Sequence, residues 1–277
     1  MKDGRVIDKI KIKTKSKSNK KNLIAQIFEC IKILMEKRKG IKGIGIGVPS
    51  PIDFKNQKIL NPPNVPALKN LYLGKLIKNK FKIKTIIDND VHCLVGGEAI
   101  LGAGKNKKIV VGLGLGTGVG GGIVMNKKIF RGQRGTSGEI GHTMIQKDGR
   151  ECKCGARGCL ETYINEKGIR KTAKEIFGRE ISSITLRQMA EKGDKKAIKV
   201  WEITGRYLGL GLANLVDIFN PEIIVIGGGI ANAGEFLIGP AKEEMKKNVL
   251  SPIAKNTPVV RAKLGEWAGA IGAGLLL

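Results

Sequence analysis

The sequence is short of aromatic residues and of acid. Phe, Trp and Tyr make up 4% of its 277 residues, and 24 Asp and Glu stand against 50 Lys and Arg, a formal charge of +26. A basic balance of that size raises nucleic acid as a partner. Scarce aromatics argue against single strands, which need stacking platforms, and the excess is lysine spread along the chain. No nucleic-acid partner is expected. No apolar run reaches transmembrane length, no secretory signal is evident and no internal repeat occurs. The expectation is therefore a cytoplasmic protein without a membrane partner.

Cysteine is also sparse, and three of the five fall together. His142, Cys152, Cys154 and Cys159 give His-x9-Cys-x-Cys-x4-Cys. Three clustered cysteines cannot pair off evenly as disulfides, and a reducing compartment is expected. Three thiolates and one imidazole make a closed tetrahedral set for structural Zn²⁺. Gly155 and Gly158 let the short segment fold back so that the sulfurs converge. Two carboxylates flank the cluster, Glu139 and Glu161. They are read either as partners of His142 behind the metal or as groups pointing into a polar ligand site. Cys30 and Cys93 lie in apolar contexts and read as small buried residues.

Glycine, by contrast, is abundant at 39 residues. Gly112, Gly114, Gly116, Gly118, Gly120, Gly121 and Gly122 surround Thr117, with apolar strands expected at Val110–Leu115 and Ile123–Met125. Such a stretch admits positive φ and brings backbone N–H groups to an anion, or marks a tight hairpin. No Lys-Ser/Thr follows, so it is not a Walker A loop, and the strand-to-strand setting does not fit a dinucleotide fingerprint.

With this length and 42% hydrophobic residues the chain suits a globular α/β protein of two modest domains. Strands are expected at Val6–Ile12 after an Asp3-Gly4 turn, at Ile41–Val48, Ile83–Ile87, Glu222–Ile226 and Val259–Leu264. Helices are expected at Asn22–Arg38, Leu73–Phe81, Val91–Gly102, Lys167–Phe177, Thr185–Lys192 and Asp194–Phe219, near Glu235, and over the small-residue stretch Glu266–Leu277. The glycines of the long helix (Gly205, Gly209, Gly211) suggest close helix packing. The strand at Ile83 ends in Asp88-Asn89-Asp90, where α/β sheets place ligands. These residues read equally as a helix cap or as a site with a carboxylate general base. The run Gly227-Gly228-Gly229 between a strand and a helix is a second place for a nucleotide.

Several motifs recur together in an order that resembles the ROK family of sugar kinases and repressors. They are LGTGVGGG (Leu115–Gly122), GEIGH (Gly138–His142), CKCGARGCLE (Cys152–Glu161), DND (Asp88–Asp90) and IVIGGG (Ile224–Gly229). GVPSPID (Gly47–Asp53) looks like the family's GVPGPID, with Ser50 where glycine is usual. The resemblance implies a two-domain actin/hexokinase-like (ribonuclease H-like) α/β fold with a small zinc knot. The small domain would be 1–104, joined by the C-terminal helix 266–277, and the large domain 105–265. It implies phosphorylation of a hexose, glucose first, by ATP with Mg²⁺, in a cytoplasmic homodimer or higher homo-oligomer. Asp90 matches the catalytic base; Asn89, Glu139, His142 and Glu161 match sugar-binding positions. Gly116, Thr117, Gly118, Gly120 and Gly121 match the phosphate loop, and Gly228 and Gly229 the adenosine side. N-acetylmannosamine, N-acetylglucosamine, fructose and allose are the alternative substrates. A sugar-responsive transcriptional regulator and a non-catalytic sugar-binding protein are the alternative functions. The DxGGT turn that usually opens such chains does not occur, so the expectation is a working kinase truncated at its N-terminus.

Overall fold

The computed structural model describes residues 6–277, so the Asp3-Gly4 turn lies outside them. Helix α1 (Lys20–Lys37) begins where the Asn19 side chain accepts the Asn22 N–H at 2.9 Å. Strand β1 (Gly43–Val48) pairs in parallel with β4 (Lys84–Asn89), and β2 (Ile52–Asp53) forms a hairpin with β3 (Lys58–Ile59). Between them α2 (Leu73–Phe81) buries Leu73 and Ile77 against Ile59 and Ile87, and α1 adds Leu23 to the same cluster.

The expected strand at Val6–Ile12 does not form. Its alternation of apolar residues and lysine fits a half-buried strand, but a strand needs a ladder partner and none among the described residues pairs with it. The segment is tethered instead by side chains, through Arg38 to Asp8 and Lys11 to Glu266, each at 2.6 Å.

A five-stranded sheet follows in the order β7-β6-β5-β8-β9. β5 (Ile109–Leu115), β8 (Ile223–Gly227) and β9 (Val259–Arg261) are parallel, while β6 (Val119–Met125) is antiparallel to β5 and β7 (Lys128–Ile129) antiparallel to β6. One face carries Val111, Leu113, Leu115, Ile224 and Ile226 into the largest core. There α4 (Glu161–Ile164), α5 (Glu166–Phe177), α6 (Ser183–Glu191), α7 (Lys195–Phe219) and α8 (Glu235–Asn248) enclose Trp201, Leu208 and Leu212.

The opposite face carries Val110, Val124 and Val225 but glycines at its centre, and α3 (Asp90–Leu101) lies on it. A Cβ at Gly112 or Gly120 would come within 2.5 Å of Val95 or Val91, one at Gly114 within 2.9 Å of Val91, and one at Gly122 within 3.0 Å of Val95. Side chains alternate between faces along a strand, so these even-numbered glycines clear one face for the helix. The glycine run is thus mostly sheet. β6 starts at Val119, four residues before the expected strand, and no glycine from Gly112 to Gly122 has positive φ.

The glycines of α7 do pack closely as expected. Gly205 and Gly209 leave room for the α8 backbone at Leu237 and Ala241. α9 (Ala268–Gly274) is shorter than expected and lies against α3 and β1, its Gly272 backbone against Cys93. Among the described residues no helix is long and apolar enough to cross a membrane.

Candidate functional site

The three residues Asp88-Asn89-Asp90 divide their tasks. Asn89 ends β4 and caps α3, its Oδ1 accepting the N–H groups of Val91 at 2.8 Å and His92 at 3.1 Å. Its Nδ2 donates to the Ser50 carbonyl at 3.2 Å, which fixes the Pro49–Pro51 turn beside it. Asp88 is buried at 2% exposure and accepts from Arg131 Nε at 2.9 Å and Nη2 at 2.7 Å. Burial works against its charge, but the His92 hydrogen bond and the Arg131 guanidinium hold its carboxyl below the usual range. Asp90 opens α3 half-buried, and its recorded hydrogen bond is from the Val91 N–H at 3.0 Å. Burial pushes its carboxyl up, against the pull of that N–H. Of the two carboxylates, Asp90 is the one with no cationic side chain hydrogen-bonded to it.

His142, Cys152, Cys154 and Cys159 converge as their spacing predicts, with all four donor atoms within 4.8 Å of one another. Gly155 and Gly158 both take positive φ, which folds the segment back. Tetrahedral zinc, with bonds of about 2.3 Å to sulfur and 2.0 Å to nitrogen, separates two sulfurs by about 3.8 Å and sulfur from nitrogen by about 3.5 Å. The Cys154–Cys159 sulfurs stand 3.7 Å apart, and Cys152 Sγ is 3.6 Å from His142 Nδ1. The donor set therefore fits one zinc ion. The Ala156 N–H and the Cys152 thiol pull Cys154 down to about 7, towards the thiolate that ligation needs. With Nδ1 turned to the metal position, Nε2 of the exposed His142 is left for another partner.

Neither flanking carboxylate hydrogen-bonds His142. Glu139 is exposed and precedes the short 3-10 turn Ile140–His142. Glu161 reaches the other way, its Oε2 accepting the Val119 N–H at 2.7 Å. That bond places it under the hairpin tip, where Thr117 and Gly118 are exposed and Gly116 is half-buried.

Of the expected phosphate-loop residues, Gly116, Thr117 and Gly118 form that tip, while Gly120 and Gly121 do not. They are strand residues paired with Gly114 and Leu113, and Gly121 is packed against Gly138 and Ile140. Gly228, at φ 86°, lies against the Leu115 backbone, where a Cβ would run into the carbonyl oxygen. Because β5 and β8 are neighbouring parallel strands, the Gly228-Gly229 turn sits beside the Gly116–Gly118 tip. Both turns leave the same end of the sheet, where open α/β sheets bind ligands.

Sequence reasoning missed His92 and Arg131. His92 follows Asp88 by four residues, in the first turn of the helix that β4 leads into, but Arg131 is 43 residues from Asp88 and carries no local signal.

Three comparisons bear on this arrangement. The profile of the ROK family matches residues 1–277. A glucokinase of Thermotoga maritima is 32% identical over 99% of this chain and 91% of its own length. A xylose repressor of Bacillus spizizenii is 32% identical over 90% of this chain, which spans 64% of that protein. Among solved structures, a ROK family glucokinase from Streptomyces griseus in complex with glucose and AMPPNP superposes with a TM-score of 0.87 at 26% identity. That match covers 100% of this chain and 93% of the other.

Proposed function

This chain belongs to the ROK family, and from that premise we propose that it transfers the γ-phosphoryl group of ATP to a hexose, glucose first, with Asp90 as general base. The α/β architecture is the actin/hexokinase-like fold of that family. Residues 1–104 together with the C-terminal helix serve as the small domain and 105–265 as the large one. Separate cores around Ile77 and Trp201 support two domains, while α3 packs on the sheet of the large one.

The observation that carries the reading is the placement of Asp90. It opens a helix at the end of a strand, its charge is disfavoured by burial, and no side-chain cation hydrogen-bonds it. A carboxylate so placed takes the proton of a sugar hydroxyl as the oxygen attacks phosphorus. Asn89, Glu139, the Nε2 side of His142, and Glu161 are the groups assigned to the sugar hydroxyls. Gly116–Gly118 receives the phosphates and Gly228-Gly229 the adenosine side. Phosphoryl transfer needs positioning and charge neutralisation above all, and Mg²⁺ supplies part of the latter. Zinc, when bound, holds His142 and the start of α4 in place.

The reading is tested by an ATP-dependent phosphorylation assay over a panel of glucose, N-acetylglucosamine, N-acetylmannosamine, fructose and allose. Turnover with glucose above the others supports it. The likeness to a xylose repressor keeps a second reading open, a sugar-responsive regulator. Sugar binding without ADP formation in the same assay would select that one.

A further inference from the structure

His92 joins the two halves of this site. Its ring is buried at 4% exposure, with Nδ1 3.0 Å from Asp88 Oδ1 and Nε2 3.0 Å from the Ser137 carbonyl oxygen. Both neighbours are acceptors, since Asp88 is held ionised beside Arg131. A neutral imidazole has one N–H and satisfies one of them; the imidazolium has two and satisfies both.

The surrounding charges agree. The ionisable groups about the ring are Asp88 from β4, Asp90 and Cys93 from α3, and Arg131 from the segment after β7. Burial holds the Cys93 thiol neutral, and Ser137 and Gly138 bring no charged side chain. With His92 protonated, two cations meet two carboxylates, and no net charge is left in a largely buried cluster.

The same pair of residues pins both ends of one loop. At its start Arg131 reaches Asp88 while its guanidinium stacks 3.8 Å from the Phe54 ring centroid. At its end the Ser137 N–H closes onto the Arg131 carbonyl at 3.1 Å, and the Ser137 carbonyl takes His92. Gly138 follows, wedged so that a Cβ would lie 2.9 Å from the Gly121 carbonyl and 3.1 Å from His92 Nε2. Glu139 is the next residue, and the backbone has no slack between it and the clamp.

Resting on the sugar-kinase reading, we propose that His92 is a positioning residue for the sugar. As an imidazolium between Asp88 and Ser137, it fixes the Arg131–Ser137 loop, and with it Glu139, against the helix that carries Asp90. The test is His92→Asn in the full chain, followed by glucose titration calorimetry at neutral pH. Melting temperature, zinc content, and kcat and KM for each substrate are read alongside. The expected result is a rise of about tenfold in the glucose Kd, with zinc content kept and the ATP KM unchanged. A split of that kind marks lost sugar binding rather than a disordered fold. Should His92→Asn fail to fold, Arg131→Lys, which loosens the other end of the loop, should show the same rise in glucose Kd. An unchanged glucose Kd in a folded variant would overturn the proposal. Failure of the kinase reading would look different: glucose bound by the wild type but no ADP formed. Glucose binding by neither protein would overturn both.

Discussion

Glu161 Oε2 accepts the Val119 N–H at 2.7 Å, two residues beyond the metal ligand Cys159 and one beyond the exposed Gly118. One carboxylate thus ties the zinc knot to the hairpin tip. Glu161→Ala leaves that N–H unpaired and lets the tip move. Glucose and an ATP analogue should both bind more weakly, by about tenfold for the sugar, since a buried donor without a partner costs about 1–3 kcal/mol. Calorimetry with each ligand checks this, and an unaffected nucleotide affinity would deny the link.

The metal cluster predicts one zinc per chain. Cys154→Ser, or treatment with a strong chelator, should remove it, lower the melting temperature and abolish glucose binding together, because His142 loses its anchor. Cys30→Ser, outside the cluster, should keep the metal. Metal analysis with a thermal melt reads both.

Gly228 and Gly229 are adjacent and should respond oppositely. At Gly228 a methyl group meets the Leu115 backbone in a positive-φ residue, so Gly228→Ala should cost about 2–4 kcal/mol. At Gly229 nothing stands within 4 Å, so Gly229→Ala should stay within about 0.5 kcal/mol of wild type. Urea unfolding of the two variants decides it.

Asp90 should be a liability for stability. Its folded carboxyl is pushed up by burial, so its charge weakens the fold as pH rises through the folded value, and the penalty vanishes below the unfolded one. Asp90→Asn should therefore raise the melting temperature at neutral pH, by about 2 °C or more. The gap should close as pH falls into the acid range. Paired melts across pH check the sign.

The sequence showed most plainly what is local. Four donors within 18 residues named their own metal, and the α2 boundaries at Leu73 and Phe81 follow from the apolar period. The glycine run is the hairpin that one of its readings gave, but its loop is shorter than expected, because a hairpin turn and a sheet face under a helix demand the same residue. Val91 and Val95, which decide between them, come from another element. The strand at Val6–Ile12 had the right alternation and no partner to pair with. Arg131, held by Asp88 and Phe54, belongs to contacts that no spacing rule connects.

The central claim is that Asp90 removes a proton from a bound sugar as ATP is cleaved. Wild type and Asp90→Asn, compared at neutral pH for glucose binding by calorimetry and for glucose 6-phosphate formed from ATP, test it most directly. The account predicts that glucose affinity stays within a few-fold while turnover falls by about 10²–10⁴-fold. Undiminished turnover in Asp90→Asn would contradict it.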